Sequence, residues 1–135
     1  PFAAGTLGQA LLVPTRLYVR PLLAAIRAGG VHAAAHITGG GITENLPRVL
    51  PQGLGAEVDL DSFSLPPVFD WLAGAGDIAD AEMLKTFNCG IGMILAVAAD
   101  RAAELEALLK AQGETVVRLG HVRPGAGVRY SGRLR

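Results

Sequence analysis

The spacing of apolar and polar residues predicts several short strands. Apolar residues run almost without interruption through residues 31–37 and 91–98, which is typical of buried strands. Residues 55–60 alternate apolar and acidic side chains, as a strand with one solvent-facing side does. We also predict strands at residues 9–13 and 115–122. The turn-rich basic tail at residues 124–135 is expected to pair at a sheet edge.

Between these strands, apolar residues recur at helical spacing. One helix is expected to begin near Pro21, a residue suited to a first helical turn, and to end before two glycines. Residues 68–74 and 77–87 predict two further helices. Another follows Asp100, which we expect to cap it. The alternation predicts an α+β fold (α/β layered) with a mixed β-sheet covered by helices, in a single domain over residues 1–135.

Composition and charge limit the kinds of partner and the cell compartment that we expect for this chain. The chain has 12 basic and 12 acidic side chains and a formal net charge of zero, which gives no general attraction for nucleic acid or an anionic membrane. Its one cysteine excludes an internal disulfide and fits a reducing compartment. The longest strongly apolar run is too short to cross a bilayer. We therefore expect a cytoplasmic protein with neither nucleic acid nor membrane as a partner.

Three consecutive glycines, Gly39, Gly40 and Gly41, follow the predicted strand 31–37. A short helical stretch comes next, with Thr43 and Asn45 as candidate capping residues. A strand, a glycine loop and a helix start present backbone amides to an anion. The residue types alone leave an anion site and a plain tight turn equally supported. A Walker motif is excluded, since no Gly-Lys-Ser/Thr follows, and the contiguous glycines match a dinucleotide fingerprint poorly.

Other residues near these predicted strands could carry chemistry. His36 precedes the glycines, where it could bond a phosphate or a reacting amide or move a proton, or else be a core histidine. Asn88 and Gly90 open the strand at residues 91–98 and could line a ligand site. Cys89 between them has no basic sequence neighbour to activate it, which disfavours a nucleophile. No Cys/His pair has metal-ligand spacing, so we expect no metal site in this chain.

Four runs of residues occur in a characteristic order. They are Pro-Thr-Arg-Leu-Tyr-Val at 14–19, His-Ile-Thr-Gly-Gly-Gly at 36–41, Glu-Asn-Leu-Pro-Arg-Val-Leu-Pro at 44–51 and Thr-Phe-Asn-Cys-Gly-Ile-Gly-Met at 86–93. Together they resemble the C-terminal domain of phosphoribosylformylglycinamidine cyclo-ligase, also called aminoimidazole ribonucleotide (AIR) synthetase. The resemblance extends from about residue 6 to about residue 122. It implies the C-terminal domain fold of the AIR synthetase superfamily, which is partly ferredoxin-like.

The resemblance also implies an activity. In that family, formylglycinamidine ribonucleotide is closed to aminoimidazole ribonucleotide in an ATP-dependent step of purine biosynthesis. ATP and Mg²⁺ are bound mainly by an N-terminal domain, which is absent from this chain, and the full-length protein is expected to be a homodimer. Phosphoryl transfer depends on positioned cations, so this chain alone is expected to be inactive. The face that would meet the N-terminal domain is expected to be an exposed apolar patch.

Site roles follow from the match at each position. The resemblance implies that Gly39, Gly40 and Gly41 donate backbone hydrogen bonds to a phosphate, and that Thr38 and Asn45 add side-chain bonds or cap the helix. His36 would face the reacting amide or a phosphate oxygen, and Asn88 and Gly90 would line the neighbouring wall. The alternatives are selenophosphate synthetase, thiamine monophosphate kinase, formylglycinamidine ribonucleotide synthetase, or a non-catalytic binding module of the same fold.

Overall fold

The strands form two separate sheets in the computed structural model, which describes residues 5–135. Strands β1 (Val31–His36) and β3 (Met93–Val97) make an antiparallel pair. Strand β2 (Leu54–Asp59) is the centre of a second sheet. It runs antiparallel to β4 and parallel to β5, whose bounds are Gly120–Pro124 and Val128–Ser131. The predicted mixed sheet is confirmed for this second sheet, and the basic tail supplies one of its edges.

Helices cover both sheets. The helices in the described part of the chain are α1 (Leu7–Leu11), α2 (Val19–Ala28), α3 (Gly41–Asn45), α4 (Pro67–Gly76), α5 (Asp80–Thr86) and α6 (Ala102–Ala111). Helix α2 packs on α6, α3 packs on α5, and α1 contacts α4. Short 3₁₀ turns lie at Pro47–Val49, Leu60–Ser62 and Ala99–Arg101. No helix within residues 5–135 combines the length and the apolar character needed to span a bilayer.

One hydrophobic core joins the two sheets. Strand β2 contributes Ala56 and Val58, and the chain at the end of β1 contributes Ala35 and Ile37. Helices α3 and α5 fill the space between the sheets; the remaining members of the cluster are Ile42, Leu46, Leu60 and Leu84. The glycine loop, which lies between Ile37 and Ile42, is thus anchored in the core on both sides.

The predicted strand at residues 9–13 is wrong. Residues Leu7–Leu11 form α1, which starts with a capping box at Thr6. The backbone amide of Gln9 donates to Thr6 Oγ1 at 3.2 Å, and the backbone amide of Thr6 donates to Gln9 Oε1 at 2.9 Å. These two reciprocal bonds satisfy backbone groups at the helix start and favour helix over strand. The strand expected at residues 115–122 is also shorter than predicted, since it begins at Gly120.

The predicted helix caps are wrong as well. Asp100 lies inside the turn Ala99–Arg101, so Arg101 is the residue that precedes α6. Gly40 occupies the cap position of α3 with φ of 97°, which places Thr43 inside that helix. The Thr43 hydroxyl lies 3.1 Å from the Leu84 carbonyl oxygen and 2.8 Å from the Tyr130 hydroxyl. Thr43 therefore ties α3 to α5 and to β5 instead of capping a helix.

Candidate functional site

A cleft of about 940 Å³ opens where the end of β1 meets the loop at residues 86–92. Its lining combines polar groups from the motif runs with apolar side chains from the segments around α1 and α4; the apolar members include Val13, Pro66, Phe69 and Leu72. The cleft can therefore hold a molecule that has both an apolar part and a strongly polar part.

The structure brings together most of the residues predicted from sequence as ligand-binding. The cleft lining includes His36, Thr38, Gly39, Asn88 and Gly90, which come from runs about fifty residues apart in the chain. The pairing of β1 with β3 brings these two runs together. His36 is in register with Met93, and the Ile37 amide donates to the Gly92 carbonyl at 2.9 Å.

Three predicted residues, Gly40, Gly41 and Asn45, are not part of the cleft lining. The Gly41 amide donates to the Thr38 carbonyl at 2.9 Å, which closes the loop on itself. The Asn45 side-chain amide donates to the Gly41 and Gly39 carbonyls at 2.9 Å and 3.1 Å. Asn45 is buried, so it stabilises the loop from inside. In this conformation the Gly41 amide and the Asn45 side-chain amide are both hydrogen-bonded within the loop, and their roles in phosphate binding stay predictions.

The remaining loop donors are the backbone amides of Gly39 and Gly40. Within residues 5–135, neither amide has a hydrogen-bond partner. Gly39 is exposed at the cleft, whereas Gly40 lies beside the Glu44 side chain, which is 3.6 Å from Arg48. Helix α3 has only 5 residues, so its dipole is small. Any anion binding at this loop therefore depends on the Gly39 amide and the cleft side chains.

His36 is exposed at the cleft and is not a core histidine. Its ring meets Tyr18 edge-on, with ring centroids 6.0 Å apart. The Tyr18 hydroxyl in turn lies over Gly92, where an added Cβ would come within 2.0 Å of it. Gly92 therefore makes room for Tyr18, which fixes one side of the His36 ring. Tyr18 was not among the predicted site residues, because its position depends on these long-range contacts.

The Tyr18 hydroxyl is a protonated donor at neutral pH. Burial raises its pKa, the Glu114 carboxylate raises it further, and Arg16 acts in the opposite direction. Arg16 also lines the cleft. Its guanidinium is 2.8 Å from Glu114 and donates to the Gly113 carbonyl at 2.6 Å, which holds it in place.

The loop of Asn88, Cys89 and Gly90 forms a tight turn. The Gly90 amide donates to Asn88 Oδ1 at 3.0 Å, so the Asn88 Nδ2 group remains available to the cleft. Cys89 has φ of 50° and Gly90 has φ of 91°. A Cβ on Gly90 would lie 2.6 Å from Pro66, so glycine lets this turn pack closely against the start of α4.

Cys89 is buried and its thiol lies 3.6 Å from the Met83 carbonyl oxygen. Burial, with a smaller effect of Asp80, raises the pKa of the Cys89 thiol to about 11. The thiol form is therefore the stable one at neutral pH, which excludes a cysteine nucleophile in this state.

We expect Cys89 to resist alkylation at pH 8 in the folded protein and to react fully in denaturant. Because the folded pKa lies above the value of 9.0 for a free thiol, the unfolded state loses its proton first as the pH rises. The free energy of unfolding should therefore fall between about pH 9 and pH 11, and a Cys89→Ala variant should lose this decrease. Rapid alkylation of the native protein would contradict the burial.

The cleft fits an anion better than a metal ion. Its lining contains no aspartate or glutamate, and residues 5–135 hold no group of three or more potential metal ligands. Mg²⁺ prefers carboxylate oxygens and water, so the residues present do not fit it. The polar residues of the lining carry donors or neutral groups; they include Arg16, Tyr18, His36, Thr38, Asn88 and the Gly39 amide.

Solved structures with the same fold include two structures of the E. coli protein HypE, one of them described as a hydrogenase maturation protein. They are 24% identical to the chain, with TM-scores of 0.67 and 0.68, and cover 90% and 93% of it. Thiamine-monophosphate kinase from Stenotrophomonas maltophilia K279a is 24% identical over 82% of the chain, with a TM-score of 0.60. The match spans only 38% and 40% of the HypE chains and 34% of the kinase.

The family comparison covers almost the whole sequence. The model described as "AIR synthase related protein, C-terminal domain" matches residues 1–132. This range contains both sheets, the glycine loop and all the cleft residues. The chain therefore belongs to the AIR synthase-related C-terminal domain family.

Proposed function

We propose that this chain is the C-terminal part of an ATP-dependent cyclo-ligase that closes formylglycinamidine ribonucleotide to aminoimidazole ribonucleotide. The observation that carries the proposal is the cleft, in which the Pro-Thr-Arg, His-Ile-Thr-Gly and Asn-Cys-Gly runs meet. These are the runs that resemble the cyclo-ligase. Membership of the AIR synthase-related family supports the same superfamily of ATP-using enzymes.

The proposed reaction has two steps. The γ-phosphoryl group of ATP is transferred to the formyl amide oxygen of the substrate, which turns that oxygen into a leaving group. The amidine nitrogen then attacks the formyl carbon, the bond from that carbon to oxygen breaks, and inorganic phosphate departs with the oxygen. Both steps place negative charge near the formyl group, so they require positioned donors and few competing water molecules.

The cleft supplies donors of this kind. His36 and Tyr18 lie side by side and the Gly39 amide is close in sequence, so we assign this end to the formyl group or the transferred phosphate. Arg16 and Asn88 Nδ2 provide further donors for a ribonucleotide phosphate. The apolar lining residues Val13, Pro66 and Phe69 would help to exclude water from the reacting groups.

We assign ATP and Mg²⁺ to a separate N-terminal domain of the same enzyme. The cleft has no carboxylate to hold the metal, and the structural relatives are more than twice as long as the part that matches this chain. The full-length enzyme is proposed to be a cytoplasmic homodimer.

Substrate-dependent release of ADP by the full-length enzyme tests this proposal. We expect ADP release with formylglycinamidine ribonucleotide, and none above background with thiamine monophosphate, selenide, or formylglycinamide ribonucleotide plus glutamine. The 135-residue chain alone should release no ADP with any of them. Release that depends on thiamine monophosphate or selenide would instead identify one of the alternative enzymes and would contradict the cyclo-ligase.

A further inference from the structure

The segment that leads to Tyr18 makes its polar contacts through one side chain. Residues 13–17 belong to no helix or strand, and Leu17 is 86% exposed. Within residues 5–135, the hydrogen bonds and ion pairs of this segment are all made by the Arg16 side chain. Tyr18 follows directly and precedes helix α2. The position of the Tyr18 ring therefore depends on where Arg16 is held.

The turn after helix α6 holds Arg16 by two contacts. Arg16 Nε lies 2.8 Å from a Glu114 carboxylate oxygen, and Arg16 Nη2 donates to the Gly113 carbonyl at 2.6 Å. The Glu114 amide donates to the Leu109 carbonyl at 3.1 Å, which ties this turn to the helix. The Glu114 side chain is only 14% exposed. Two bonds from one guanidinium to a shielded partner fix its direction better than an exposed ion pair does. We call Arg16, Gly113 and Glu114 the α6 clamp.

The α6 clamp also lies close to Tyr18. Burial raises the pKa of the Tyr18 hydroxyl most, the Glu114 carboxylate raises it further and Arg16 lowers it, so both charged groups are near the phenol. The phenol also lies over Gly92, where only a residue without Cβ leaves room for it. Tyr18 is thus held by the clamp and by the close fit at Gly92. Its ring meets the His36 ring edge-on, with centroids 6.0 Å apart.

We infer that the α6 clamp positions His36 for the reaction, through Arg16 and Tyr18. The His36 ring makes no hydrogen bond within residues 5–135, so packing contacts such as the one with Tyr18 determine its orientation. Glu114 is then a positioning residue, because it is not part of the cleft lining and acts through the side chains that it holds.

This inference rests on the proposed function, which places the reacting groups at His36. It adds that the chemical step depends on a carboxylate almost eighty residues further along the chain. That dependence has a physical reason, since a catalytic group held about 1 Å from its productive position loses much of its effect.

Steady-state kinetics of the full-length enzyme test the clamp. Glu114→Gln keeps the size of the side chain and removes its charge, so Arg16 loses its ionic partner. We expect kcat for ADP release to fall by about 10- to 100-fold, the scale for a displaced catalytic group. Glu106→Gln is the matched control. Glu106 on α6 pairs with Arg118 at 2.9 Å, and neither residue lines the cleft, so its kcat should stay close to that of the wild type.

The same kinetics separate positioning from substrate binding. Arg16 is also a proposed donor for the ribonucleotide phosphate, so KM of Glu114→Gln is expected to rise as well. A rise in KM with the kcat of the wild type would overturn the inference, because Glu114 would then serve binding alone. On a Tyr18→Leu background, Glu114→Gln should lower kcat little further, since both residues act through one contact. Additive losses in the double variant would overturn the inference too.

NMR of the 135-residue chain measures the contact without the reaction. The sequence has 3 histidines and 2 tyrosines, so nuclear Overhauser effects between their ring protons can be assigned. We expect a cross-peak between the Tyr18 and His36 rings that Glu114→Gln loses and Glu106→Gln retains. If Glu114→Gln does not fold, Arg16→Lys makes the same test, because one ammonium group cannot keep both contacts of the guanidinium. A cross-peak that persists in the clamp variant would overturn the inference, even where kcat falls.

The cross-peak and the activity assay can fail independently. Loss of the cross-peak in Glu114→Gln, with no ADP release from formylglycinamidine ribonucleotide by the wild type, would retain the clamp and reject the cyclo-ligase. ADP release that Glu114→Gln does not slow would retain the enzyme and reject the clamp.

Discussion

Replacing His36 with alanine in the full-length enzyme is expected to lower kcat by about 10²- to 10⁴-fold, the range for loss of a positioned acid–base or donor group. The thermal midpoint should stay nearly unchanged, because the His36 side chain is exposed and its ring makes no hydrogen bond within the described residues. Steady-state ADP release and a thermal melt measure the two quantities on the same preparation.

The matched control for this variant is His32→Ala. His32 lies on the same strand and is also exposed, but it is not part of the cleft lining. We expect its kcat to be close to that of the wild type. Near-normal turnover of His36→Ala, or an equal loss in both variants, would remove His36 from the mechanism.

Replacing Gly41 with alanine is expected to destabilise the 135-residue chain by about 3 kcal/mol, and it should leave part of the protein unfolded if the core cannot adjust. Gly41 has φ of 57°, and an added Cβ would lie 2.0 Å from the Leu84 carbonyl oxygen and 2.8 Å from that of Phe87. These are backbone atoms of α5 and the residue after it, so they cannot move aside as a side chain can. Urea unfolding followed by circular dichroism gives the change.

Gly39→Ala is the control for Gly41→Ala. No atom lies within 4 Å of an added Cβ at Gly39, and no positive φ opposes it. We expect its free energy of unfolding to stay within about 0.5 kcal/mol of the wild type. If both variants were equally stable, the packing of α3 against α5 described above would be incorrect.

The sequence predicted the fold best where the hydrophobic pattern was long. The runs that became β1 and β3, and the alternation that became β2, were strong signals, and all three strands are present. The run at residues 9–13 was too short for periodicity to separate strand from helix. The capping box of Thr6 and Gln9 was the signal that could have decided it. The division into two sheets depends on strand pairing, which the pattern does not encode.

For the candidate site, the sequence predicted which loops meet but not how each group points. The placement of His36, Asn88 and Gly90 at one cleft follows from strands ending at a common edge. That Asn45 turns inward to bond three carbonyl groups could not be read from its position near a helix start. The binding roles themselves stay predictions.

The exposed apolar patch was expected without a location. Only the structure shows that Pro21 and Ala25 are the buried residues of α2, whereas Leu23 and Ile26 are exposed. From sequence alone, Leu23 and Ile26 would be placed in the core.

We propose that the full-length enzyme activates a formyl amide oxygen by phosphorylating it. The most direct measurement uses formylglycinamidine ribonucleotide labelled with ¹⁸O in the formyl group, with ³¹P NMR of the phosphate that the full-length enzyme releases. We predict that each phosphate carries one ¹⁸O atom, because the formyl oxygen leaves with the phosphoryl group. Unlabelled phosphate would show that the formyl oxygen is never phosphorylated, and it would contradict this account.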